Sequence, residues 1–399
     1  MKERVIQTHS LTVGYGNRSV VSEINIDMLK GQFVSILGPN GSGKTTTLRT
    51  LAGLLSPLKG AVYLNGRNIS ELSQSESARS LAVVLTGHLS PGLLTGFEFV
   101  SLGRYPYTDF LGRLKKEDIE KIEESLRLVN GSDLSQRYFN ELSDGERQKL
   151  IFARALAQEP EVIILDEPTL HLDLKHRLEL IGILQNFCRK KGITVIVSLH
   201  DVDLAMKVSD VVLLVKDGKI LGYGQPDEIL KEDTIARLYD LNSARFNSQL
   251  GTIELRSEGE GEEVFVVAGG GTGTPIFRFL SKNGFRITTG ILHENDIDAC
   301  IADSMGALVI MEDAFQEIKE SSYRKAIEII KKVEYIIDSG FPVGSLNRRN
   351  MELLRDSIDM GKRILSFRKT RDLSDSLIDS NKVIYFDTLN TLLKRLKNS

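Results

Sequence analysis

Cysteine is scarce in this chain: only Cys188 and Cys300 occur in 399 residues. They stand far apart, in no spacing that suits a disulfide framework or a thiolate metal site, so a reducing cytoplasm is the simple setting. Long apolar runs are missing too. No stretch comes near the ~18 residues that a membrane-spanning helix needs. The polar start, Met1, Lys2, Glu3 and Arg4, lacks the apolar core of a secretory signal, so no leader is expected. A strong excess of one charge is also absent. The net charge of −3 argues against a nucleic-acid-binding surface. What is present is ordinary for a soluble globular protein, with 41% apolar and 26% charged residues. The length suggests two or three domains of ~150 residues each.

Short apolar runs at residues 34–37, 162–165, 194–199 and 211–215 fit strands buried on both faces of a parallel sheet. Helical patterns lie between them, as in Ile119, Ile122, Leu126 and Val129. This alternation predicts an α/β fold. Asn65-Gly66 and Asp217-Gly218, each between strand-like flanks, predict hairpins. Residues 257–263 are acidic and glycine-rich, the composition of a flexible linker or exposed loop. Alternation resumes at Val264. The expected organisation is a first domain over residues 1–256, a linker over 257–263 and a second domain over 264–399.

Gly38, Pro39, Asn40, Gly41, Ser42, Gly43, Lys44 and Thr45 match the phosphate-loop pattern. A buried strand precedes them and a helix-compatible run beginning at Thr46 follows. Glycines let successive backbone N–H groups converge on the β- and γ-phosphates, Lys44 adds a point charge, and Thr45 offers a hydroxyl to Mg²⁺. Asp166 and Glu167 close the apolar run at 162–165. At such a strand end one carboxylate reaches the Mg²⁺ shell and its neighbour acts on the attacking water, so Asp166 is assigned metal work and Glu167 base work. His200 ends the next buried run, where it could hydrogen-bond the γ-phosphate.

Between these motifs lie Leu142, Ser143, Asp144, Gly145, Glu146, Arg147 and Gln148. Ser143 followed three residues later by Glu146 predicts a capping box opening a helix through residue 157. The N-terminus of that helix carries unpaired N–H groups and a partial positive charge, which attract phosphate. Gly145 lets a ligand approach the backbone.

This order of motifs resembles the nucleotide-binding domains of ATP-binding cassette (ABC) transporters, over about residues 3–245. The resemblance implies a P-loop NTPase fold and the following assignments. Tyr15 stacks on adenine, residues 38–45 are Walker A and residues 142–148 the signature. Residues 163–167 are Walker B, Asp173 lies in the D-loop, and His200 is the switch histidine. It implies a head-to-tail homodimer in which Ser143 and Gly145 complete the partner's ATP site. With no span in sight, integral membrane permease subunits would form the pore, served indirectly by an extracytoplasmic substrate-binding protein. The subunit itself would sit on the cytoplasmic face of the membrane, with ATP and Mg²⁺ as cofactors and no nucleic acid.

Two departures stand out. Asp144 and Glu146 occupy places where the family has Gly and Gln. Thr86 follows the strand-like run 81–85 where the family has the Q-loop glutamine, which puts coupling geometry in question more than ATP binding. Gly103, Arg104, Tyr105 and Pro106 resemble the importer group for iron–siderophore, haem and cobalamin. The expected function is therefore ATP hydrolysis that powers import of such a metal chelate. The alternative is a soluble ABC ATPase not tied to transport. Ribosome-type members usually carry two cassettes, and DNA-repair types place a long coiled coil where this chain has a short span from Lys44 to Asn140.

After the linker, an expected strand at 264–268 leads through Gly269, Gly270, Gly271, Thr272 and Gly273 to a helix opening at Pro275. Further strands are expected at 286–292, 307–311, 335–338, 363–367 and 383–386. A small Rossmann-like domain is expected. Its glycine spacing fits the dinucleotide fingerprint poorly, and no Lys-Ser/Thr follows, so a second ATPase site is excluded. A ligand-free turn, and a regulatory nucleotide or metabolite site using the glycines with Glu294, both stay open.

Overall fold

The computed structural model describes residues 3–85, 91–170, 172–257, 259, 261–368 and 382–397. They form two compact units, Met1–Asp240 and Leu241–Ser399.

The first unit is built on a six-stranded sheet. Its order is Lys219–Gly224, Val211–Lys216, Phe33–Leu37, Thr194–Ser198, Val162–Leu165, Leu81–Val84. All pairings are parallel except the first, the expected hairpin turned by Asp217 and Gly218. Both turn residues have positive φ, 47° and 74°, as an Asp-Gly two-residue turn requires. The central strands are buried throughout, which is why they read as unbroken apolar runs. A second, mainly antiparallel sheet carries the strands Arg4–Tyr15, Arg18–Ile24 and Lys59–Leu64 and shares one core with the first. The helix Lys116–Leu128 buries Ile122 and Leu126 as its spacing predicts, while Ile119 stays exposed.

The sheet order fixes the chemistry. The phosphate-loop strand and the acidic strand are not neighbours; Thr194–Ser198 runs between them. Residues that follow these three parallel strands therefore meet along one edge.

The second unit holds a sheet of six parallel strands. Its order is Leu308–Glu312, Arg286–His293, Glu263–Val267, Tyr335–Asp338, Arg363–Ser366, Val383–Tyr385. Two apolar clusters line it, one containing Phe277, Ala302 and Leu392 and the other Tyr323, Phe341 and Leu353. The glycine turn leads into the helix Thr274–Lys282.

The division between units falls after Asp240, not at residue 256. The antiparallel hairpin Ala244–Asn247 with Thr252–Leu255 belongs to the second unit. Asn247 Nδ2 donates to Ser304 Oγ at 3.0 Å, Arg245 pairs with Asp303 at 3.3 Å, and Arg278 Nε donates to Glu254 at 3.2 Å. The acidic stretch after it is also tied where it is described. Ser257 N–H donates to Met305 O at 2.8 Å, and Gly261 N–H to Gly284 O at 3.1 Å.

Candidate functional site

The phosphate loop shows why its glycines are glycines. A Cβ on Gly38 would lie 2.2 Å from Val215 O, and one on Gly43 2.5 Å from Val21 Cγ2. Gly43 also has φ 106°, where a side chain is strained. The helix Lys44–Leu51 starts directly after it, so its first N–H groups face the loop. Lys44 is buried, its ammonium donating to Gly38 O at 2.8 Å and Pro39 O at 3.1 Å. Burial lowers its pKa, and the charges of Glu167 and Asp166 oppose that shift. The loop lysine and the strand-end carboxylates are thus electrostatic neighbours, although they lie far apart in sequence.

Asp166 is buried at the end of its strand. Ser198 Oγ donates to Asp166 Oδ1 at 2.8 Å and accepts the Glu167 backbone N–H at 2.7 Å. One hydroxyl on the intervening strand therefore orients both acidic residues. Glu167 adopts φ 46°, a conformation that bulky residues take only under constraint. Its Oε1 lies 2.7 Å from His200 Nε2. The intended base and the strand-end histidine are brought into direct contact. Ser198 was not found from the sequence, because inside an apolar strand a serine gives no periodic or motif signal.

The signature segment folds as expected. Ser143 caps the helix Asp144–Ala157, and its backbone N–H donates to Glu146 Oε2 at 2.8 Å. The reciprocal bond runs from Glu146 N–H to Ser143 Oγ at 3.4 Å. The Ser143 backbone N–H, first among several bonds, holds the Glu146 carboxyl below its ordinary range. Asp144 is exposed and pairs with Arg147 at 3.5 Å. Both departures from the expected signature are thus absorbed as helix-end chemistry, since acidic residues in a first turn suit the helix dipole. Asp173 caps the helix Leu174–Asn186. Tyr15 ends the strand Arg4–Tyr15 half-exposed. Thr86 lies outside the described residues.

The Gly103–Pro106 turn is more than a turn. Arg104 is buried, bonded to Asp118 at 2.9 Å, Glu159 at 2.8 Å and Ala157 O at 2.7 Å, with its guanidinium 4.0 Å above the Tyr107 ring. A Cβ on Gly103 would lie 2.2 Å from Arg154 O, so the turn sits directly on the signature helix.

In the second unit the glycine turn makes its bonds internally. Gly270 N–H donates to Asp296 at 2.9 Å, Gly273 N–H to Asp298 at 2.9 Å, and Thr274 N–H to Asp298 at 2.8 Å. Asp298 is fully buried. Asp296 and Asp298, rather than Glu294, supply the carboxylates at this turn.

The ABC transporter family pattern matches residues 21–170, and that of the MJ0874 family matches residues 287–393. The uncharacterised ABC transporter ATP-binding protein MJ0873 of Methanocaldococcus jannaschii is 45% identical over 289 residues, 72% of this chain and 100% of that one. The chain belongs to the ABC transporter ATP-binding proteins. This ABC protein is also 36% identical to the ferric enterobactin transport ATP-binding protein FepC of Escherichia coli, over 59% of its own length and 87% of FepC. Among solved structures it is similar to an inward-facing ABC transporter assigned to the metal-chelate type. The TM-score is 0.54 and the identity 26%, covering 60% of this chain and 90% of that one. The ABC unit is an ATPase that hydrolyses ATP to power transport. No helix among the described residues is long and apolar enough to cross a membrane.

Proposed function

We propose that this ABC ATPase drives import of a metal chelate, an iron–siderophore, haem or cobalamin, through a separate membrane permease. The contact of Glu167 with His200, beside the buried Lys44, carries the catalytic part of this reading. Its kinship with FepC and with a metal-chelate type transporter supports the cargo class.

The geometry supports the following assignment of roles. Tyr15 stacks on adenine. Backbone N–H groups of residues 38–46 and the Lys44 ammonium take the β- and γ-phosphates, once Lys44 turns from the two carbonyls it now meets. Asp166 and Thr45 fit Mg²⁺: the carboxylate is buried with one oxygen fixed by Ser198, and the hydroxyl follows Lys44 in the same helical turn. When bound, Mg²⁺ neutralises phosphate charge. Glu167 takes a proton from the attacking water, and His200 turns from Glu167 to the γ-phosphate. Ser143, Gly145 and Asp173 serve the ATP of a second copy in a head-to-tail homodimer.

Tyr105, Phe110 and Leu111 follow Arg104 in the chain and are exposed, and we read them as the surface offered to the permease. In this reading the subunit sits on the cytoplasmic face of the membrane and is supplied indirectly by an extracytoplasmic binding protein. For the second unit, the strand order is that of doubly wound dinucleotide-binding sheets, and we read it as Rossmann-like.

Glu167→Gln is expected to bind ATP and accumulate as a dimer in size-exclusion chromatography; normal steady-state hydrolysis in that variant defeats the base role. For the cargo, the subunit co-purified with its permease is expected to show ATPase activity stimulated by cobalamin or a ferric chelate. Stimulation by neither removes the cargo class while leaving the ATPase reading intact.

A further inference from the structure

Gly145 and His176 stand on different helices, and each accounts for the other. A Cβ on Gly145 would lie 2.7 Å from His176 Cδ2 and 2.9 Å from Nε2. The imidazole therefore rests directly against the backbone of the signature turn. The other ring nitrogen is fixed as well: Nδ1 is 2.8 Å from Asp173 Oδ1. That oxygen also accepts the His176 backbone N–H at 2.8 Å, as the cap of the helix Leu174–Asn186. These contacts hold the Asp173 carboxyl below its usual range. One turn further along, Lys149 and Glu179 pair across the two helices at 2.8 Å. Gln148 Nε2 donates to Pro168 O at 3.4 Å.

We propose that His176 is a positioning residue that joins the D-loop carboxylate and the signature turn into one pre-ordered docking edge for the second subunit's nucleotide. The inference rests on the reading that Gly145 and Asp173 face the partner's ATP. Two independent segments would each have to be ordered when the dimer closes, and that ordering weakens association. A flat ring with a polar end at Asp173 and an edge at Gly145 removes one of those steps beforehand. Neither residue is part of the phosphate loop of its own subunit, so ATP binding by the monomer is untouched.

The test uses the full chain carrying Glu167→Gln, which is expected to hold ATP without turnover. ATP affinity is measured at protein concentrations that keep the chain monomeric, and ATP-driven dimerisation by light scattering. His176→Ala in this background is expected to leave monomer ATP affinity unchanged and weaken dimerisation by roughly tenfold, the scale of one contact-pair coupling. His176→Asn, which can still bond Asp173, is expected to recover part of that loss. Dimerisation as tight as in the parent overturns the proposal. So does a His176→Ala chain that melts early while His176→Asn folds and dimerises like the parent, because the role is then structural. If Glu167→Gln alone never dimerises, the head-to-tail reading fails instead, and this inference falls with it.

Discussion

At the scale of single residues, the ATP site depends on a side chain that carries no motif. Ser198 is buried and bonds both Asp166 and the Glu167 backbone. Ser198→Ala removes one donor and leaves Asp166 Oδ1 and the Glu167 N–H without that partner. Hydrolysis is expected to fall about 10–100-fold, the usual cost of losing a group that orients a functional ligand. ATP binding, which the proposed roles assign to Lys44 and the loop amides, is expected to change little. Separate determination of kcat and of the ATP dissociation constant checks this; equal losses in both sink the orienting role. The contrast with Lys44 shows what sequence can disclose. The phosphate loop is local, so its glycines and its lysine are legible from spacing alone. Ser198 meets Asp166 only because two strands pair in register, Leu165 opposite Val197, and no spacing announces that.

At the scale of elements, the signature helix carries two loads. Its N-terminus is capped by the Ser143–Glu146 box, and its flank receives the turn at Gly103. Gly103→Ala would drive a methyl group against Arg154 O, 2.2 Å from the ideal position. The expected cost is about 1–3 kcal/mol, the range for overpacking, read from urea unfolding. Arg104 would be dragged from Asp118 and Glu159 at the same time. A variant as stable as the parent would show that the turn can yield. The turn was legible as a family mark, but its burial was not, since an arginine in a Pro-closed turn reads as surface. The hairpin at 244–255 misled in the opposite direction. By sequence it trails the first sheet, yet its polar side chains answer Cys300, Asp303 and Ser304, far downstream.

At the scale of the whole molecule, the chain is two units with separate cores, and their stabilities can be told apart by pH. Glu312 is buried in the second unit, where it accepts the Lys319 N–H at 2.8 Å and pairs with Lys319 Nζ at 2.9 Å. These bonds, set against the burial that opposes them, bring its pKa down to about 2. An unfolded glutamate titrates near ~4.3. The folded value is the lower one, so the stabilisation is full above about pH 4.5 and is lost as pH falls towards 2. Glu312→Gln is expected to destabilise the second unit at neutral pH and to flatten its acid sensitivity. Thermal melts of the full chain beside one ending at Asp240 check this, because the transition missing from the shorter chain belongs to the second unit. The alternation of parallel strands and helices was legible in both units, whereas the antiparallel strands Arg4–Tyr15 and Arg18–Ile24 and the hairpin at 244–255 were not. The point of division was not, because it is set by which neighbours the hairpin at 244–255 chooses.

The buried Asp298 gives the two glycine turns of this chain opposite fates. The first offers its helix end to a visiting anion. The second was given a resident one when the chain folded, and a phosphate group arriving there would meet like charge and amides already engaged. Where ATP is abundant, the two turns would therefore receive phosphate differently, since a group arriving at the second would first have to displace Asp298 from the Gly273 and Thr274 amides.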